Sequence, residues 1–333
     1  MDPVAIIIPT YNSASLVELA VQSVLGQLRP GDELIVIDDG SSDSTADVLK
    51  PLLPRITYIR TENQGVAAAR NLALGRTAAP LIAFLDADDQ WLPGKLDLQR
   101  QLMEARPDVV FCFSDFRSLL DTGEIVPYCL KHWQADYGLT AAAWAQAAGE
   151  GQAYSSIAPL PEGIGDFPVH ITDFFAPEVK APCVNTSSTM VRREKAGEAL
   201  HFDHKLTPYE DWMCYMNLAR RGPGALLNTE TVFRDDCHDR PRLTAVEKLV
   251  KASIRVQLLE RLDTADRDRF KEILSERRGH KAAILLGLGR SKEARVELRQ
   301  MRNAPASYRL MAALPGPLAR ALVQVRKAMK KGN

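Results

Sequence analysis

The chain has 333 residues, 46% apolar and 25% charged, an ordinary globular balance on a chain long enough for a self-sufficient core. Lys plus Arg equals Asp plus Glu at 42 each, which excludes a basic nucleic-acid-binding chain, so no nucleic-acid partner is expected. Five widely spaced cysteines without a C-x-x-C, no basic N-terminal leader, and no apolar run near the roughly 18–20 residues of a membrane span argue against a disulfide framework, a signal peptide and a transmembrane helix, so the expected location is cytoplasmic.

In chain order, four short β-rich runs come first: "VAIII" (4–8), "ELIVI" (33–37), "ITYI" (56–59) and "LIAFL" (81–85). Helix-like segments lie between them at Ser15 to Leu28, Ser44 to Leu53 and Gly65 to Leu74. This alternation predicts an α/β fold with a doubly wound, mostly parallel sheet, whose ligands bind beyond the carboxyl ends of the strands. Those ends are polar: Pro9-Thr10-Tyr11-Asn12, then Asp38-Asp39-Gly40-Ser41-Ser42-Asp43, then Asp86-Ala87-Asp88-Asp89. Ser41 to Ser44 offers N-cap chemistry for the next helix, which leaves Asp38 and Asp39 unexplained. Residues 112–185 are less regular, with an alanine-rich helix and a Pro/Gly loop. From Thr244 the pattern is helical, with a helix pair over 277–304 turning near Gly287 to Gly289.

Three aspartates within four positions, at the end of an apolar run, repel one another unless a cation joins them. Hard oxygen ligands in an Asp-x-Asp suit Mg²⁺ or Mn²⁺, which keep positions open for substrate phosphates; the alternative is a capped turn with an acidic loop. Arg70 and Asn71 lie on the helix of "NQGVAAARNLAL" (63–74), where a solvated arginine is the plainer reading. Glu210 and Asp211 open a helix whose apolar face is Trp212, Tyr215, Met216, Leu218 and Ala219, a place the helix dipole favours for acids in any case. His201-x-x-His204 lacks a third zinc ligand. Trp133 and Trp144 have two uses, sugar stacking or packing. Arg192 and Arg193 either meet a phosphate or are solvated, and Asn185-Thr186-Ser187 fits a glycosylation sequon without meaning in a cytosolic chain.

Five segments in this order, "IIIPTYN", "IVIDDGSSDST", "NQGVAAARNLAL", "FLDADDQWLPGKL" and "YEDWMCYMNLARRG", closely resemble glycosyltransferase family 2, inverting enzymes of the GT-A fold. The resemblance covers about residues 3 to 240. It implies a GT-A domain over 1–240, with a nucleotide-sugar half (1–110) and an acceptor half (111–240), followed by a helical region over 241–333. It implies a nucleotide-sugar site at Pro9, Thr10, Tyr11, Asn12, Asp38, Asp39, Gly65, Arg70, Asp86, Ala87 and Asp88. In it Thr10 and Tyr11 would line the base pocket with Tyr11 stacking on the base, Asp38 and Asp39 would bind base and ribose, Arg70 would sit near the nucleotide or organise the loop, and Asp86 would hold the ribose or sugar hydroxyls. Asp88 would bind Mn²⁺ or Mg²⁺, with His238 as a second candidate near the diphosphate and a surface histidine as its alternative. Asp211 would be the general base, with Glu210 beside it holding donor or acceptor.

The implied partners are a nucleotide-diphosphate sugar, UDP-linked by default, and a saccharide or lipid-linked acceptor of cell-surface polysaccharide synthesis. Residues 314–333 hold five Lys or Arg and no acid, so the tail reads either as an amphipathic helix on an anionic membrane surface, peripheral at its inner face, or as a helix docked on its own domain. Two other classes compete. A non-catalytic binding or scaffold protein would break the Asp-x-Asp or the Glu-Asp pair, and a nucleotidyltransferase would carry a Gly-rich basic loop after the first strand. No G-x-G-x-x-G follows an early strand, which excludes a dehydrogenase.

Overall fold

A computed structural model describes residues 2–136, 138–236 and 247–331. The chain divides into two compact units, residues 1–241 and 242–333.

The first unit opens with β1 (Val4–Thr10), α1 (Val17–Leu25), β2 (Glu33–Asp38), α2 (Thr45–Leu49), β3 (Thr57–Arg60), α3 (Val66–Leu74), β4 (Leu81–Phe84), β5 (Asp89–Trp91) and α4 (Lys95–Ala105). It continues with β6 (Phe111–Leu119), β7 (Ile125–Val126), α5 (Leu130–Asp136), α6 (Ala141–Ala148), β8 (Gln152–Ala153), β9 (Pro168–Thr172), α7 (Phe175–Lys180), β10 (Met190–Arg192), α8 (Arg193–Ala196), α9 (Glu210–Ala219) and β11 (Gly224–Asp235).

These strands form one mixed sheet in the order β3-β2-β1-β4-β10-β6-β11-β9-β8, in which parallel pairing predominates. β1 and β4 are buried along their whole length, as continuous apolar runs in a sheet covered on both faces must be. β3, at the edge, is half exposed. α1 covers the sheet with Val17, Ala20, Val21 and Val24, the i, i+3, i+4, i+7 stripe of an amphipathic helix. The helix expected over Ser44 to Leu53 ends at Leu49. Pro51 and Pro54 turn the remainder into a 3₁₀ segment, Lys50–Arg55, because proline cannot donate within the helix. The Ser44 side chain does not cap α2; Asp43 accepts the Thr45 N–H instead.

Two features of this sheet position the site. β1 turns to β2 on one side and to β4 on the other, so the order reverses there, and sheets of this kind form their ligand crevice beyond the carboxyl ends at such a point. Pairing of β1 with β4 stops at Ile7 opposite Phe84, two residues before Pro9, which has no N–H to offer. On the far side, β6 lies level with β4 at Cys112, through Met190 of β10, and so runs on past the end of β4. β11 follows β6 with two register shifts between Leu227 and Val232. Bulges re-aim a strand, and beyond them β11 pairs with β5 and sets Arg234 opposite Asp89.

The second unit is helical: α10 (Lys248–Glu260), α11 (Thr264–Arg269), α12 (Lys271–Gly287), α13 (Ser291–Arg299), α14 (Ala306–Ala313) and α15 (Gly316–Lys331). Its core includes Ala282, Leu285, Leu286, Ala294, Leu298 and Ala312. The α12–α13 turn needs glycine: Gly289 has φ +77°, and its carbonyl oxygen lies where a Cβ on Gly316 would go. Among the described residues no helix is long and apolar enough to cross a membrane.

Candidate active site

The loop after β1 and the loop after β2 hold each other through side chains. Asn12 sits at φ +49°, a left-handed conformation that asparagine tolerates. Its Oδ1 accepts the Ser42 N–H at 2.7 Å, and its own N–H donates to Ser41 Oγ at 2.9 Å. Asp38 is fully buried and both its oxygens are engaged, one by the Ser41 N–H at 2.7 Å and one by the Tyr58 hydroxyl at 2.6 Å. Asp39 accepts the Gln64 N–H at 2.8 Å and the Gly65 N–H at 2.7 Å. Gly40 passes so close to Asn63 that a Cβ would lie 2.9 Å from its backbone nitrogen. Asp39 therefore fixes the loop that leads into α3, and Asp38 ties the loop after β2 to Tyr58 of β3, structural tasks that local spacing does not reveal. Thr10 is buried with Oγ1 lacking a hydrogen-bond partner among the described residues, whereas Tyr11 is half exposed.

α3 carries Arg70 inward. The guanidinium is buried and makes two ion pairs, to Asp86 after β4 at 2.7 Å and to Glu210 at the start of α9 at 3.2 Å. It also lies over the Phe202 ring, 5.1 Å from its centroid. Burial opposes its charge, but Asp86, Glu210 and Asp211 outweigh burial and hold it firmly cationic. The solvated-arginine reading of this helix is therefore wrong. Its neighbour Asn71 is equally committed, clasping the Phe202 backbone through both amide atoms at 2.7 and 3.0 Å.

The Asp-x-Asp has three different fates. Asp86 faces Arg70 and keeps about a third of its side chain exposed. Its N–H donates to Ser187 Oγ at 3.1 Å. Asp89 is buried, accepts the Ser187 hydroxyl at 2.5 Å and faces Arg234 at 3.9 Å. Burial and then the neighbouring Asp88 push its carboxyl up. Ala87 is buried, and Asp88 is exposed. Arg234, whose guanidinium also pairs with Asp236 at 3.0 Å, is a site cation that sequence reading missed. It sits at the end of a long strand, and only the bulged register of β11 brings it to Asp89.

Glu210 and Asp211 part company at the first turn of α9. Glu210 turns inward to Arg70 and is 4% exposed. Asp211 is partly buried; it accepts the Trp212 N–H at 2.6 Å and lies 3.4 Å from the Thr186 hydroxyl. Burial, then the Glu210 carboxylate, raise its carboxyl to about 7, with Arg70 opposing. Beneath it, Trp212 donates its indole N–H to the Glu178 carbonyl at 2.6 Å.

The remaining sequence candidates have other uses. Arg192 donates to the Met103 and Val109 carbonyls, and Arg193 to the Ala79 and Leu74 carbonyls, so both tie down backbone. Trp133 packs on Phe116 and Trp144 on Phe174. Asn185 is buried and caps the 3₁₀ turn Thr186–Ser188. His238 lies outside the described residues.

No three His, Cys, Asp or Glu side chains among the described residues converge as a metal cage. The donor set suits a different arrangement. Mg²⁺ and Mn²⁺ are commonly held by one or two carboxylates, with water and substrate phosphates filling the other positions, and Asp88 is an exposed carboxylate just beyond the carboxyl end of β4.

Comparison with known proteins agrees with this architecture. Residues 5–139 match the family description Glycosyl transferase family 2. Over 125 residues the chain is 38% identical to the putative teichuronic acid biosynthesis glycosyltransferase TuaG of Bacillus subtilis, covering 36% of this chain and 49% of that one. It is 37% identical over 125 residues to WfgD of Escherichia coli, named as a UDP-Glc:alpha-D-GlcNAc-diphosphoundecaprenol beta-1,3-glucosyltransferase, covering 37% and 49%. The match spans about half the length of each. The crystal structure of S. aureus TarS 1-349 superposes with a TM-score of 0.59 at 14% identity, covering 99% of this chain and 92% of TarS, and so shares the fold. Residues 5–139 thus match glycosyltransferase family 2, within a fold shared with TarS.

Proposed function

We propose that the protein is an inverting glycosyltransferase that moves a sugar from a UDP-sugar to a hydroxyl of a saccharide or lipid-linked acceptor in cell-surface polysaccharide synthesis. One observation carries this reading. A carboxyl raised to about 7, Asp211, stands beside the Arg70 bridge that leads to the Asp-x-Asp at the crevice. A sugar hydroxyl is a poor nucleophile near neutral pH, and a base with a matched pKa is what it lacks. Asp211 takes the acceptor proton as the hydroxyl attacks the anomeric carbon, and the bond to the diphosphate breaks on the opposite face, inverting that carbon. Glu210 pairs with Arg70 through Oε1 alone, so its part is to hold the bridge, with Oε2 left without a hydrogen-bond partner among the described residues.

The donor lies across the β1/β4 crevice. Tyr11 stacks on the base, and the Thr10 hydroxyl meets a polar group of the nucleoside. Asp38 and Asp39 shape the pocket mainly through the loops they fix, and the exposed part of Asp86 takes a sugar or ribose hydroxyl. Asp88 would hold Mn²⁺ or Mg²⁺, which when bound supplies Lewis-acid stabilisation of the departing diphosphate. Support comes from relatives: WfgD by name uses UDP-Glc and a diphosphoundecaprenol-linked acceptor, and S. aureus TarS has been crystallised with UDP-GlcNAc. A lipid-linked acceptor places the reaction at the inner face of a membrane.

Melting temperature against a panel of nucleoside diphosphates and their sugars, with and without Mn²⁺ or Mg²⁺, tests the reading. A ligand of the folded state adds about 2.7 kcal/mol at a hundred times its Kd. Stabilisation by uridine nucleotides that needs metal and vanishes in Asp88→Ala is the expected result. Metal-dependent stabilisation unchanged in Asp88→Ala removes that residue as the ligand, and no shift with any nucleotide favours a non-catalytic scaffold.

A further inference from the structure

The chain as a whole carries no net charge, yet after Glu297 it has no acidic residue at all. The 36 residues from Leu298 to Asn333 hold eight Lys or Arg. This segregation lies on the helical unit, where α15 has two different apolar faces. Ala319 and Val323 turn into the unit's core. Leu318, Leu322 and Val325, spaced i, i+4, i+7, form a second stripe that is about half exposed at each position. Leu310 of the preceding helix is 71% exposed. An exposed apolar stripe on a helix that has already met its core by another face needs an occupant.

Next to the start of α15 lies a cleft of about 460 Å³ between the α12–α13 turn and the α14–α15 turn. Arg290, Lys292 and Arg295 line it against a single carboxylate, Glu293. Arg290 is engaged by Glu293 through two bonds of 2.6 Å, and Arg295 donates to the Ala312 carbonyl at 2.8 Å. Lys292 is exposed beside them. A cationic cleft thus adjoins the start of the helix that carries the apolar stripe.

We infer that α14, α15 and this cleft form a docking surface for an anionic phospholipid bilayer. Leu318, Leu322 and Val325 enter the interfacial region, while the cleft, with Lys292, and the exposed Arg320 of α15 meet headgroup phosphates. A cationic surface with an apolar stripe complements an anionic bilayer in both charge and polarity, whereas a neutral bilayer matches only the stripe. The inference goes beyond the transferase reading and is tested without sugar donor or acceptor, so either can fail alone.

The test is co-sedimentation of the full chain with vesicles of phosphatidylcholine alone or with roughly a third phosphatidylglycerol. Binding is expected on the anionic vesicles only, weakening as salt rises. Leu318→Asp with Leu322→Asp should lower it roughly tenfold or more. A charge-reversed chain, Lys292→Glu with Arg320→Glu, should lower it while keeping the wild-type melting temperature. Equal binding to neutral vesicles, no binding to anionic ones, or an apolar double variant that binds like wild type overturns the inference. So does light scattering that shows a wild-type dimer dispersed by the Leu318/Leu322 changes, which would make the stripe a face for a second copy. Displacement of the protein from vesicles by soluble glycerophosphate would make the cleft a small-phosphate site and overturn the bilayer reading.

Discussion

Arg70 shows what a single residue does here. It is a buried cation shared by Asp86 and Glu210, carboxylates 16 and 140 positions away along the chain. Removing one partner of a buried ion pair leaves an uncompensated charge and costs about 3–5 kcal/mol. Arg70→Ala is expected to lower unfolding free energy by that amount in urea titration; a loss of less than about 1 kcal/mol would mean the bridge is not structural. Asp211 carries a second expectation. Its carboxyl is raised to about 7, so the ionised base accumulates as pH rises through that value. Turnover should rise through pH 7 and level off above it, and a rate that falls over that interval contradicts the assignment. The type and spacing of these residues were legible in the sequence; their partners were not. Nothing local distinguishes Arg70 from a solvated arginine, because its burial comes from Phe202 and α9, far along the chain. Asp38 and Asp39 carry a structural part that spacing does not show: their carboxylates accept bonds from the Ser41, Gln64 and Gly65 N–H groups and from the Tyr58 hydroxyl.

Among the elements, α4 holds the least expected group. Lys95 is fully buried, donating to Gln99 Oε1 at 2.5 Å and lying 4.0 Å from the Trp91 ring centroid. Gln99 in turn donates to the Ser188 carbonyl at 2.6 Å, and Trp91 to that of Ser187 at 2.8 Å, so the group supports the segment that holds Asp86 and Asp89. Burial lowers the Lys95 amine from 10.5 to about 7, with Cys112 opposing. Between those values the unfolded chain binds the proton and the folded chain does not, so stability should rise with pH from about 7 to about 10.5. Lys95→Met should flatten that slope in melts at several pH values; an unchanged slope would place its origin elsewhere. The signal for this lysine was present in outline: Lys95, Leu98, Gln99 and Leu102 share one helix face, and two of the four are apolar. Strands were legible where apolar runs were long and unbroken, as in β1 and β4. The bulges of β11 were not, since they are set by the register against β5 and β6.

At the scale of the whole molecule, the order of the first strands follows from their alternation with helices, and the crevice follows from that order. The mixed right-hand part of the sheet, with β10 antiparallel between β4 and β6, has no comparable signature because residues 112–185 lack a clear period. Charge is likewise a whole-chain property that local reading understates: balance overall conceals an acid-free C-terminal stretch on a unit of its own.

The central claim is that Asp211 is the base of a sugar transfer at the β1/β4 crevice. The most direct measurement is UDP release from a panel of UDP-sugars in the presence of saccharide and lipid-linked acceptors and Mn²⁺ or Mg²⁺, comparing wild type with Asp211→Asn, with donor binding measured on the same preparations by calorimetry. The account predicts acceptor-dependent release by the wild type, donor affinity in Asp211→Asn within about threefold of it, and transfer lower by roughly a hundredfold or more. Undiminished transfer by Asp211→Asn, or a loss of donor binding that matches the loss of transfer, would contradict it.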